Sequence, residues 1–134
     1  MTASVLVLDA SVGVKWFRDE RGSDAARALL AAHRDGQTIL AVDTLFMYEV
    51  LGALSRSHAR AELDAVWRDL GAWELAVIPL SEELVNAATT QREALGCSLY
   101  DAFSAGLASL IQAPLISADA RAHGAFPSVR ILGE

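Results

Sequence analysis

Cysteine is almost missing from this sequence: Cys97 stands alone, so no internal disulfide can form. With no second thiol, and with His33, His58 and His123 scattered, no metal-ligand spacing of the zinc type arises. The three histidines are assigned no role, and Cys97 is expected as a small buried or half-buried thiol. Basic charge is also short. Eleven Lys and Arg face seventeen Asp and Glu, for a net charge of −6, whereas a module that coats nucleic acid through a broad basic face carries the opposite sign. An enzyme whose acidic cluster is neutralised by divalent cations escapes that exclusion, because the ions then dominate the local field. No long apolar run opens the chain: Val5 to Leu8 stops at Asp9 and follows no basic segment. That is too short for a signal peptide or a membrane span, and a cytoplasmic location is expected. There is no internal repeat, low-complexity tract or Pro/Gly/Ser-rich linker, so residues 1–134 are read as one domain. No phosphate-binding Gly-rich loop follows an apolar run, and no Ser/His/Asp or Cys/His set stands out.

What the chain does have is apolar material, 53% of its residues, enough for a substantial core at this length. Ser4-Val-Leu-Val-Leu8 is β-branched and Leu-rich without polar alternation, the pattern of a strand buried on both faces of a parallel sheet. Thr38 to Val42, Leu75 to Ile78, Leu115 to Ser117 and Val129 to Leu132 repeat it. Helical patterns lie between these runs. After Ser81, a predicted N-cap followed by Glu82 and Glu83, the apolar positions Leu84, Ala87, Ala88 and Leu95 keep helical spacing until Gly96. Further helices are predicted over 11–18, 22–35, 44–57, 60–71, 98–112 and 119–124. Strands alternating with helices give an α/β fold around a mostly parallel sheet of four to five strands. In such sheets, sites form beyond the carboxyl ends of the strands, near a switch in strand order.

Four acids stand where purely structural roles fit less comfortably. Asp9 closes the first strand, with Ser11 predicted as the cap of the helix that follows. Asp119 repeats the arrangement after Leu115-Ile-Ser117, and a helix cap is the alternative reading at both positions. Glu49 interrupts the apolar run Leu45-Phe-Met-Tyr-Glu-Val-Leu51. Unless it faces water at the edge of its helix, it needs a cation, a donor or a metal, since an unpaired buried carboxylate costs several kcal/mol or takes up a proton. Gly52, one turn onward on the same face, marks a place where something could approach the helix closely. Asp101 follows Ser98 by three residues, the spacing of a capping box, and opens a helix of small apolar residues. If the strands are parallel, all four acids reach one edge of the sheet. Four oxygen ligands without His or Cys suit Mg²⁺ or Mn²⁺, ions that lower the pKa of bound water and offset charge building up at phosphorus.

These segments resemble the PIN domains, and especially the VapC toxins of type II toxin–antitoxin systems, over essentially the whole chain. Val-Leu-Val-Leu-Asp9-Ala-Ser-Val-Gly-Val-Lys-Trp-Phe17 resembles the opening motif, with Asp9 as first acidic ligand and Ser11 as the polar residue near it. Tyr48-Glu49-Val50 with Leu54 resembles the second motif, and Leu99-Tyr100-Asp101-Ala102 the third. Leu115-Ile-Ser-Ala-Asp119-Ala-Arg121 resembles the fourth, with Ser117 at a position commonly Thr. Two positions depart from the pattern: Asp43, here read as a helix cap, stands where Pro is frequent, and Gly52 where Asn is common.

The resemblance implies a three-layer α/β/α sandwich and a Mg²⁺- or Mn²⁺-dependent endoribonuclease. Its ions would be held by Asp9, Glu49, Asp101 and Asp119, and a metal-activated water would cut RNA to leave a 5′-phosphate. It also implies a homodimer restrained by a small antitoxin. Trp16, Phe17, Phe46, Trp67 and Trp73 either line a groove for such a partner or pack in the core. Lys15, Arg18, Arg21, Arg56, Arg60 and Arg121 are the cations available to meet phosphates, if not simply solvated. A PIN-like binding module that no longer cleaves is the competing reading. A phosphotransfer domain using Asp9 as acceptor is disfavoured because Ser11 occupies the place of the second acid it needs.

Overall fold

The computed structural model describes residues 2–133. Five strands, β1 (Ser4–Leu8), β2 (Thr38–Asp43), β3 (Ala76–Ile78), β4 (Leu115–Ser117) and β5 (Val129–Ile131), form one sheet in the order β3-β2-β1-β4-β5. Every pairing is parallel, with Val5 opposite Ile39, Leu8 opposite Ile116 and Asp43 opposite Ile78. Seven helices accompany them: α1 (Ala10–Val14), α2 (Ser23–Arg34), α3 (Leu45–Leu54), α4 (Arg60–Ala72), α5 (Glu82–Leu95), α6 (Leu99–Ile111) and α7 (Ala120–His123).

Alternation along the strands explains the layers, since successive side chains point to opposite faces. Leu6 and Leu8 of β1, Leu40 and Val42 of β2 and Ile116 of β4 pack with Val12, Leu29, Phe46, Val50, Leu54, Val66 and Leu70 of α1 to α4. Val5 and Val7, Ala41 and Leu115 face the other way, onto Leu84 of α5 and Ala105, Leu107 and Ala108 of α6. Helices therefore cover both faces, as the three-layer reading requires. Trp16 and Phe46 are core residues, while Phe17 and Trp73 stack 5.5 Å apart against that core. Of the five aromatic groove candidates only Trp67 is exposed. No single helix among the described residues is long and apolar enough to cross a membrane.

Most element ends fall where their chemistry puts them. Ser81 Oγ accepts from Leu84 N–H at 3.1 Å, Ser98 Oγ from Asp101 N–H at 3.1 Å, and Gly96 takes the left-handed conformation (φ +67°) that ends α5. Two helices end well before the predicted position. Beyond Val14 the chain continues in tighter turns, Trp16 N–H to Gly13 O and Phe17 N–H to Val14 O, and α3 stops at Leu54 rather than 57, its end closed by Ser57 and His58 N–H on Leu54 O.

The strand order reverses between β1 and β4: from β1 the sheet runs to β2 and β3 on one side, to β4 and β5 on the other. The carboxyl ends of β1 and β4 therefore flank the switch point, where side chains of both strand ends and of the following helices converge. Asp9 directly follows β1, and Asp119 follows β4 by two residues.

Candidate functional site

Asp9, rather than Ser11, caps α1. Its backbone is extended (φ −79°, ψ 153°), and its Oδ2 accepts from Ser11 N–H at 3.0 Å and from Ser11 Oγ at 2.6 Å. Ser11 lies inside the helix, where its Oγ also accepts from Ala118 N–H at 2.9 Å and so ties the start of α1 to the loop after β4. The second oxygen of Asp9 accepts from Ser104 Oγ of α6 at 2.9 Å. Donors from two directions fix this carboxylate in one orientation, a charge-assisted arrangement stronger than neutral pairs.

Glu49 lies on α3, half-buried, and its carboxyl is pushed up to about 7 by burial and then by Asp9, Asp43 and Asp101. Every charge named there is another carboxylate, so ionising Glu49 adds to an already negative site. Asp43, buried at the end of β2, caps α3 by accepting from Phe46 N–H at 3.0 Å. Burial raises its pKa; the Phe46 hydrogen bond opposes that, and the charge on Asp9 adds to it. Asp43 is thus a cap, as read from the sequence, and also a fifth acid bearing on the cluster.

Asp101 opens α6, where its N–H is taken by Ser98. Asp119 caps α7 through Oδ1, 3.0 Å from Ala122 N–H, so the capping role considered for it is real and uses one of its oxygens. Asp101 and Asp119 line one cleft with Cys97, Ser98 and Arg121. Cys97 is partly buried, and its thiol is pushed up by burial and by these two acids, a shift that disfavours the reactive thiolate.

The structure brings the four acids near one another without closing them into a cage. Asp9, Asp43 and Asp101 all bear on Glu49, and Asp119 shares a cleft with Asp101. No three Asp, Glu, His or Cys side chains among the described residues are gathered tightly enough to enclose an ion. The donors still fit Mg²⁺ or Mn²⁺ in kind: they are hard oxygen ligands whose mutual repulsion, visible at Glu49, a divalent cation would relieve.

Of the cations proposed for phosphate, Lys15 is buried and already engaged, donating to Glu20 Oε1 at 3.3 Å and to the Arg21 carbonyl. Arg18 donates to Ala53 O at 2.9 Å and is likewise committed to the fold. Arg21, Arg56 and Arg60 are exposed and form no ion pair among the described residues. Arg121, exposed in the Asp101–Asp119 cleft, remains the cation best placed beside the acids. Ser117 is fully buried and supports the site from beneath. Gly52 is exposed with open space around it, so no part of this chain approaches α3 there.

Two residues escape a reading of the sequence. His123 has no exposed surface, and its Nε2 lies 2.7 Å from Asp101 O and 4.0 Å from Asp9 Oδ1, with Nδ1 2.7 Å from Ser117 Oγ. Ser104, buried one turn after Asp101, reaches Asp9. The signals are thin: a His four residues after Asp119, flanked by the buried Ala122 and Phe126, and a Ser three after Asp101. His33 and His58 do only structural work, His33 bridging Leu40 N–H and Trp73 O.

The raised Glu49 carboxyl has a testable consequence for stability. Between about 4.5 and 7 the metal-free folded state binds more protons at this position than the unfolded chain, so stability falls as pH rises through that window. The full shift would correspond to about 3 kcal/mol, and screening of a half-exposed group reduces the expected effect to about 1 kcal/mol. Glu49→Gln should therefore stabilise the metal-free protein above pH 7 by about 1 kcal/mol relative to its effect at pH 4.5. Urea unfolding at both pH values measures this, and an identical change at each would show that Glu49 ionises normally.

No curated protein matches the chain at a significant level. Solved structures do resemble it. A toxin–antitoxin complex from Klebsiella pneumoniae superposes with a TM-score of 0.72 at 18% identity, covering 93% of this chain and 95% of that one. VapBC2 from Rickettsia felis, bound to a DNA fragment from its promoter, gives 0.69 at 15% identity, with 95% and 96% covered. VapC20 from Mycobacterium tuberculosis, a sarcin-ricin loop cleaving toxin, gives 0.69 at 15%, with 93% and 98% covered. At such identities the likeness establishes the fold. The sequence itself carries the assignment further: the PIN domain pattern matches residues 6–127, from within β1 to beyond α7, a span that includes all four acids, and the chain belongs to the PIN domain family.

Proposed function

We propose that this protein is a Mg²⁺- or Mn²⁺-dependent endoribonuclease, a single PIN-like unit that acts as the toxin of a toxin–antitoxin pair in the cytoplasm. The observation that carries the reading is the acidic edge itself: Asp9, Asp43 and Asp101 add to burial in pushing the Glu49 carboxyl up to about 7, leaving a half-buried anionic site that divalent cations would neutralise. Asp9, Glu49, Asp101 and Asp119 would hold the ions. Bound there, they would supply an activated water and offset the charge that builds up as the RNA phosphodiester is cut. The chain's own part is positioning. Ser11 and Ser104 orient the Asp9 carboxylate, and Arg121 is available to a phosphate oxygen at the mouth of the cleft.

A structural neighbour supports the partner half of the proposal, since the Klebsiella pneumoniae structure is a toxin–antitoxin complex. Tyr48 and Tyr100, 75% and 68% exposed, line an apolar groove with Leu45, Leu80, Phe103 and Asp43. An antitoxin lying in that groove would cover the acids, and a second copy would use the remaining apolar surface around Trp67.

The test is cleavage of mixed-sequence labelled RNA by the purified, partner-free protein with Mn²⁺ and with EDTA. Cutting that requires the metal and leaves 5′-phosphate ends is the expected result. A second reading is a PIN-like module that binds RNA or protein without cutting. Folded protein that leaves RNA intact in Mn²⁺ would select it.

A further inference from the structure

The acidic edge rests on a buried polar cluster whose centre is His123. The imidazole is fully buried, and every polar contact it makes leads to an acid of the site. Nε2 lies 2.7 Å from the carbonyl oxygen of Asp101, which can only accept, so Nε2 carries the hydrogen. Nδ1 then accepts from Ser117 Oγ at 2.7 Å, and that same hydroxyl accepts from Asp119 N–H at 3.0 Å. Ser104 Oγ, 3.4 Å from Nε2, donates to Asp9 Oδ1. Ser11 Oγ, 3.5 Å from Ser117 Oγ, donates to Asp9 Oδ2. A single ring thus joins the backbone of Asp101 on α6, the backbone of Asp119 after β4, and the side chain of Asp9 after β1.

We propose that His123, held as the Nε2–H tautomer by Ser117 and the Asp101 carbonyl, is a positioning residue that sets the spacing of Asp9, Asp101 and Asp119 for cation binding. The inference rests on the metal-dependent reading above and adds to it a residue that touches neither ion nor RNA. Its physical basis is cost. A buried ring with both nitrogens used allows one arrangement, because turning it would leave the Asp101 carbonyl and the Ser117 hydroxyl without their partners. The short helix α7, with a single turn of its own hydrogen bonds, cannot fix Asp119 unaided.

The experiment compares wild type, His123→Leu and His123→Gln as full-length proteins. Mn²⁺ dissociation constants are measured by calorimetry, and urea unfolding midpoints are measured alongside. Supporting groups of this kind change metal affinity by about 10- to 100-fold. His123→Leu, which fills similar volume but donates nothing, should weaken Mn²⁺ binding by about that factor. His123→Gln, whose amide N–H₂ can replace Nε2–H toward Asp101 O, should recover most of it. Ring ¹⁵N shifts of the metal-free wild type should show Nε2 protonated and Nδ1 accepting, a signature independent of any ion.

Should His123→Leu fail to fold, Ser104→Ala serves in its place, with Mn²⁺ binding expected to weaken about tenfold. A folded His123→Leu or Ser104→Ala variant that binds Mn²⁺ as tightly as wild type overturns the positioning role, and so does an Nδ1–H tautomer. Equal losses of stability in His123→Leu and His123→Gln with unchanged Mn²⁺ affinity would make His123 a packing residue and overturn the role as well. Wild type that binds no Mn²⁺ at all would instead sink the metal-dependent reading, and this inference with it.

Discussion

Asp9→Asn should abolish metal-dependent RNA cleavage, by about 10³-fold or more, while the protein stays folded. Three donors surround this carboxylate. Ser11 N–H is a fixed donor, so the Asn carbonyl oxygen must turn toward it, as Asp9 Oδ2 does at 3.0 Å. The amide N–H₂ then faces Ser104 Oγ, which can rotate to accept, since a hydroxyl serves either way. The cap of α1 survives, and the loss is one charge-assisted bond, about 1–2 kcal/mol of stability. What disappears is the negative charge at the end of β1, the acid that acts most strongly on Glu49. A divalent ion loses an anionic ligand and meets an amide nitrogen instead, and such an ion supplies several kcal/mol of charge stabilisation, each 1.36 kcal/mol being about tenfold in rate. Single-turnover cleavage with Mn²⁺ and urea unfolding of the same preparation measure both halves. Activity within tenfold of wild type would remove Asp9 from the site.

The same residue shows what can be read from sequence and what cannot. That an acid closes β1 is plain, because Val5 to Leu8 is an apolar run with no alternation and the polar residue after it ends the strand. Which residue caps α1 is not. Asp and Ser cap about equally well, and the deciding contact is Ser11 Oγ to Ala118 N–H, between residues 107 positions apart. His123 and Ser104 are invisible for a similar reason. Their meaning appears only once β4 lies beside β1 and α6 crosses beneath both, a three-dimensional fact with no local pattern. Lys15 reads as a free cation because the carbonyl that holds it belongs to a loop, at Arg21, whose return path no periodicity predicts. By contrast the sheet, its parallel sense and the caps at Ser81 and Ser98 follow from patterns within a dozen residues. Sequence reasoning is strongest where one segment decides its own structure, and weakest at the switch point, where β1, β4 and the helices after them fix the geometry together.

Gly106→Ala should be strongly damaging although it adds a single methyl group. In the interior of α6 an alanine is ordinarily better than glycine by about 1 kcal/mol, so propensity alone predicts a gain. Packing reverses the sign. A Cβ at Gly106 would meet Ala88 N at 2.6 Å, Ala88 Cα at 2.8 Å and Ala87 C at 3.0 Å, all backbone of α5. A helix backbone cannot step aside as a flexible side chain can, so the two helices must part, at an expected net loss of about 2–3 kcal/mol. Gly52→Ala on α3 is the control, because its Cβ meets nothing within 4 Å. That change should stabilise by about 0.5–1 kcal/mol. Function should divide the same way. Parting α6 from α5 moves Asp101, Ser104 and the carbonyl that His123 grips, and a displacement near 1 Å at a reacting centre can cost about 100-fold in rate. Gly52 lies three residues from Glu49 on an open face, so its methyl should leave cleavage unchanged unless RNA passes close to that turn. Urea midpoints and cleavage rates of the two variants decide it: a stable, active Gly106→Ala would mean that α5 and α6 are free to separate without disturbing the acidic edge. A Gly52→Ala protein that is more stable yet slower would place the RNA strand along α3, beside Glu49.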